Sequence, residues 1–218
     1  MHYPEFLREN KMSDNSKRRK IMAVLAGGLV LGVGAAITLA AWNDSEFATG
    51  TFTAGDFDLQ GSTTSGTAGF SNHDTAGTAA GLSFTLPAGL VTAMAPGETA
   101  YAPFWVRLAA GTTSDATLAA ASITPGTGGN EANFSHSVSV IGIADVCDAN
   151  ATGTVIASGA NLSTSTPGTS AALTKGTQIT DDGTAIQLCF AVTSADQATL
   201  LPGTPATATW EFEATSTN

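Results

Sequence analysis

From residue 57 onward, apolar residues fall at every second position in short runs, and Gly, Pro, Ser and Thr fill the gaps between them. Phe57 and Leu59 alternate with Asp56, Asp58 and Gln60, and Leu82, Phe84 and Leu86 alternate with Ser83 and Thr85. Ala102, Phe104, Val106 and Leu108 share one face, with Trp105 and Arg107 on the other; Phe134, His136, Val138 and Val140 alternate with serines. Ile186, Leu188, Phe190 and Val192 form another such run, and Ala206, Ala208, Trp210, Phe212 and Ala214 the last. A period of two predicts strands with one buried and one wet face. Residues 115–123 read as a weaker strand. Pro103, with no N–H to donate, predicts an edge strand or a bulge. The change of phase at Ile141 and Ile143 also predicts a bulge.

Between these runs, residues 61–81 read as a mobile loop. Residues 148–184 read as mostly loop, with one short strand at 154–157. Met94-Ala95-Pro96-Gly97-Glu98 is a turn, since Pro presets φ and Gly accepts a positive φ after it. Leu200-Leu201-Pro202-Gly203-Thr204 repeats that chemistry before the final strand. Eight or nine short strands with turns between them predict an all-β fold, an antiparallel β-sandwich. Periodicity alone leaves jelly-roll and immunoglobulin-like topologies open.

The N-terminal part has a different pattern. Lys17, Arg18, Arg19 and Lys20 precede an uncharged run from Ile21 to Trp42. A run of roughly 20 apolar residues can span a bilayer, and the basic cluster before it places the remainder outside. Small residues close the run, so it reads as a signal peptide cut after Ala40 or Ala41, with Trp42 at the start of the mature chain. The alternative is a retained transmembrane anchor. The predicted organisation is a cytoplasmic basic leader (1–20), a signal or anchor helix (21–41) and an extracellular sandwich (42–218).

Charge sharpens this division. Of the 18 acidic and eight basic residues, 15 acids but only Arg107 and Lys175 lie beyond the apolar run. So acidic a body repels nucleic acid and anionic lipid, which excludes nucleic-acid partners. Cys147 and Cys189 are the two cysteines, and in an exported chain they are expected to form a disulfide.

Residues 40–60, AAWNDSEFATGTFTAGDFDLQ, combine small residues, an aromatic-Asn-Asp start and a Phe-x-x-Gly-x-Phe-Asp-Leu strand. The motif positions are Ala40, Ala41, Trp42, Asn43, Asp44, Phe52, Gly55, Phe57, Asp58 and Leu59. This stretch resembles the start of mature TasA/camelysin-type proteins, which are exported with a SipW-type signal peptide. The Thr/Ala/Gly-rich, actinobacterial-like body departs from the better-known members. The resemblance implies a jelly-roll variant and a secreted or cell-surface protein of the extracellular matrix and biofilm. The implied partners are other copies or other matrix proteins, with signal peptidase and the membrane engaged during export.

Candidate chemistry is sparse. Some camelysin-type relatives are metallopeptidases, but this sequence has no His-Glu-x-x-His, and beyond the leader its histidines are His73 and His136. Both read as structural, and no Gly-x-Ser-x-Gly occurs. The expectation is no enzyme, no catalytic residue, no metal site and no cofactor, with calcium at Asp181 and Asp182 as the weak candidate. Asp56/Asp58 and Glu211/Glu213 read as solubilising or edge-protecting pairs, and Trp105 as a contact residue or the cover of a loop. The predicted function is structural. Trp42, Asn43, Asp44, Phe47, Phe52, Phe57 and Leu59 would form an assembly strand that adds to a neighbour's sheet edge. The alternatives are a camelysin-like surface metallopeptidase and a membrane-tethered binding domain.

Overall fold

The computed structural model describes residues 15–28, 49, 55–86, 93–196 and 198–217. The chain divides into two compact units, Met1–Phe52 and Thr53–Asn218. In the first, residues 15–28 form an exposed helix that carries the basic cluster. No helix among the described residues is long and apolar enough to cross a membrane. The predicted signal or anchor segment from residue 29 on, and its cleavage site at Ala40, Ala41 and Trp42, lie outside the described residues.

The second unit is all-β, as the alternation predicts. Among the described residues it has nine strands, β1 (Leu59–Ser62), β2 (Thr99–Leu108), β3 (Asp115–Pro125), β4 (Phe134–Ile141), β5 (Gly153–Asn161), β6 (Thr164–Pro167), β7 (Ala171–Leu173), β8 (Ile186–Ser194) and β9 (Ala208–Thr217). They form two antiparallel sheets in a sandwich-like arrangement. One has the order β1-β2-β8-β4-β5-β6 and the other β7-β3-β9. The core between them is built on Ala102, Val106, Leu108, Leu118, Val138, Ile156, Leu173, Leu188 and Phe190.

β8 lies at the centre of the large sheet and reads almost continuously apolar, because both of its faces are covered. Leu188 and Phe190 point into the core. Gln187 and Cys189, on the opposite face by alternation, are also buried. Their cover is the segment after β4. Cys147 is bonded to Cys189 as expected, with the Cα atoms 5.3 Å apart. The Gln187 amide faces the carbonyls of Ile143 (3.0 Å) and Gly142 (3.2 Å), an acceptor-only setting that assigns its nitrogen to that side as the donor. Gly66 packs against Ile143 and Trp105, so Trp105 lies beneath a loop.

Several expectations need correction. The loop after β1 is folded against it. Ser62 Oγ donates to the Ala68 carbonyl and accepts from the Thr64 N–H, and Gly61 and Ser71 exchange two backbone bonds of 3.0 Å. The Leu82–Phe84–Leu86 strand reduces to a single bridge, Thr85 to Tyr101. Pro103 lies in an interior strand. The period of two turns its nitrogen to the side on which Tyr101 meets Thr85, in the gap before β1 begins pairing at Trp105. The expected β4 bulge lies opposite, in β5, where Val138 pairs with Ala157 and Ser139 with Val155, leaving Ile156 as the extra residue. The short strand expected at 154–157 is the start of a longer β5, and residues 148–184 hold two further strands, β6 and β7. The Thr, Ser, Gly and Ala residues of all three show almost no alternation, and ladder pairing with β4 and β3 sets their conformation instead.

Candidate functional site

The two sheets differ in width, and this difference creates the site. The three-stranded sheet cannot cover six strands. β9 lies over β8, where Trp210 and Phe212 meet Phe190 edge-to-face at 5.2 and 5.9 Å between ring centres. Such pairs add about 0.5–1.5 kcal/mol beyond area burial. Beyond β9, no strand among the described residues faces the inner side of β1 and β2. A cleft of about 1690 Å³ runs there, walled by Leu59, Phe104, Val106, Phe84, Trp210 and Phe212. Its rim carries Asp58, Asp74 and Glu211, and no Lys or Arg among the described residues lining it.

One end of the cleft is made by the two Pro-Gly turns, which adopt the expected conformation. Gly97 has φ +77° and Gly203 φ +73°, and each turn closes with a backbone bond, Glu98 N–H to Ala95 O and Thr204 N–H to Leu201 O. A buried polar side chain holds each. Ser194 Oγ donates to the Ala95 carbonyl at 2.7 Å. Asn130 Nδ2 donates to the carbonyls of Leu201 (2.9 Å) and Thr204 (2.8 Å), and its Oδ1 accepts from the Leu201 N–H at 3.1 Å. Next to it the buried Glu131 carboxylate accepts from the N–H groups of Gly128, Gly129 and Thr207. Its own backbone N–H, with those of Gly129, Gly128 and Thr207, holds its pKa below the usual carboxylate value, against the opposing effect of burial. Nothing in the alternation of residues marks Asn130 or Glu131 as buried. The one local signal is Gly128-Gly129 beside them, a pair of amides free of side chains.

His136 forms the wall behind Trp210, with ring centres 5.7 Å apart. It is only 5% exposed, and its Nδ1 lies 3.1 Å from the Asn161 carbonyl. Its place depends on Gly159, its cross-strand partner, because a Cβ there would lie 2.5 Å from the imidazole Cε1. Burial pushes its pKa down, partly offset by the Asn161 carbonyl. His73 is bonded through Nδ1 to the Ser71 carbonyl at 2.9 Å and meets the Phe104 ring edge-on.

Of the predicted assembly residues, Leu59 begins β1 and packs on the core, whereas Phe57 precedes the strand and is 39% exposed. Trp42, Asn43, Asp44, Phe47 and Phe52 lie outside the described residues. At the calcium candidate, Asp182 is committed elsewhere. One oxygen meets Arg107 at 2.8 Å and the other accepts from the Ala110 N–H at 3.1 Å. Asp181 accepts from the Thr177 and Thr180 hydroxyls. Arg107 also stacks on Phe70 at 4.1 Å. Asp58 accepts from Asn72 and Glu211 from Ser122. Among the described residues no three His, Cys, Asp or Glu side chains converge as a metal site.

No protein-family model matches the chain. No characterised protein matches it significantly either.

Proposed function

We propose that the chain is an exported structural protein of the cell surface or extracellular matrix, a jelly-roll-like sandwich of the TasA/camelysin type. Its N-terminal apolar helix serves as signal or anchor, and its copies join by strand addition. The observation that supports this reading is the strand-wide, apolar cleft beside β9, the edge of its sheet among the described residues. Drug-sized ligands occupy roughly 300–1,000 Å³; a cleft of about 1690 Å³ suits a length of polypeptide better. A sheet edge supplies backbone hydrogen bonds to such a segment, and alternate side chains fill the apolar wall.

The occupant is residues 42–52 of a second copy, which bring Trp42, Phe47 and Phe52 to an apolar surface. A contact in which one copy's terminus fills another's body does not close on itself and propagates as a filament.

The test is electron microscopy of the processed protein, with and without residues 42–47. Filaments from the intact chain and none from the truncated one are expected. Filaments from both, or from neither, would discard strand addition.

A further inference from the structure

Three Asn-x-Ser/Thr triplets lie among the described residues, at Asn133-Phe134-Ser135, Asn150-Ala151-Thr152 and Asn161-Leu162-Ser163. A fourth, Asn43-Asp44-Ser45, lies outside them. This triplet is the acceptor pattern for an N-linked glycan, and it functions only where the asparagine amide can be reached. The fold separates the three sharply.

Asn133 is half-buried, and its Nδ2 donates to Asn130 Oδ1 at 2.9 Å, inside the clamp on the Leu201–Thr204 turn. A sugar on that nitrogen would displace the clamp. Asn161 is half-buried too. Its Oδ1 accepts from the Ser163 N–H and the Thr164 hydroxyl, its carbonyl faces His136, and the next residue, Leu162, is 3% exposed. Asn150 is different. It lies exposed in the turn between the disulfide and β5, with Thr152 exposed two residues on. The turn is shaped through its backbone, whose N–H donates to Asp148 Oδ1 at 2.8 Å. Its side-chain nitrogen has a single long contact, 3.5 Å to Asp148 Oδ2, too long to hold it firmly.

We propose that Asn150 is an N-glycosylation site, and that the fold admits a glycan there and not at Asn133 or Asn161. The donor is a polyprenyl-diphosphate-linked oligosaccharide. The bond from the anomeric carbon to the diphosphate oxygen breaks as the bond to Asn150 Nδ2 forms. The polyprenyl diphosphate leaves, and the amide proton passes to the transferase's base. Use of the site in the cell rests on the export proposed above; the acceptor property itself does not.

The folded full-length chain is therefore incubated with a single-subunit oligosaccharyltransferase and a lipid-linked oligosaccharide, and glycopeptides are read by mass spectrometry. Among the three triplets compared, a glycan at Asn150 alone, lost in N150Q and in T152A, is the expected result. No transfer, or transfer to Asn133 or Asn161 in place of Asn150, overturns the proposal. N-terminal sequencing of protein from the culture supernatant tests export separately.

Discussion

Single buried polar residues hold the parts of this fold that an apolar core cannot. Asn130 satisfies three backbone groups of the Leu201–Thr204 turn from one side chain. In N130A those groups are left in a buried site without partners, and each net loss is of order 1 kcal/mol or more. Denaturant unfolding of N130A should therefore show a loss of about 1–3 kcal/mol. Glu131 and His136 make stability depend on pH, and both act in the same direction. The fold holds Glu131 below its ordinary value, so its contribution is present above about pH 4.5 and is lost as pH falls through the lowered folded value. The fold also disfavours protonated His136. The unfolded chain takes up that proton first, so stability is intact above about pH 6.5 and declines as pH falls below it. A thermal melt series from pH 7 to 5 should fall less steeply in H136Q than in the parent. In E131Q the melting temperature should drop at pH 7, and its gap to the parent should narrow as pH falls below about 4.5.

At the level of elements, β8 is the strand on which the rest is arranged. Its inner face meets β9 and its outer face is closed by the 142–147 segment through Cys147 and Gln187. Replacing Phe190 by Ala removes the ring that Trp210 and Phe212 pack on, and should cost about 3–5 kcal/mol. The double variant C147A/C189A releases a loop that spans 42 residues of sequence. It should lose about 2–4 kcal/mol in denaturant unfolding, with no further loss on adding a reductant. The strands with strong alternation, β2, β4, β8 and β9, were legible in the sequence because each has one face against the core. Of β5, β6 and β7, only residues 154–157 of β5 were. These three strands sit at or near sheet edges and contribute few large apolar side chains, so their conformation comes from ladder partners distant in sequence.

For the whole molecule, the consequence of unequal sheets is the cleft along β9. If residues 42–52 of one copy fill it in another, a synthetic peptide of residues 42–54 should compete for the same place. Added in excess, it should shorten filaments in a concentration-dependent way, seen by electron microscopy or light scattering. A scrambled peptide should leave their length unchanged.

The alternation of residues, the Pro-Gly turns and the two cysteines were sufficient for an all-β antiparallel body with a disulfide, because strand period and turn chemistry are local properties. The acidic surface was equally plain from composition. The cleft was not legible at all. Leu59, Phe84, Phe104, Trp210 and Phe212 read alike as core positions, and which of them face another strand depends on how many strands each sheet recruits. The buried Asn130–Glu131 clamp escaped for a related reason: its partners lie about 70 residues away in sequence, and only folding brings them within hydrogen-bond reach.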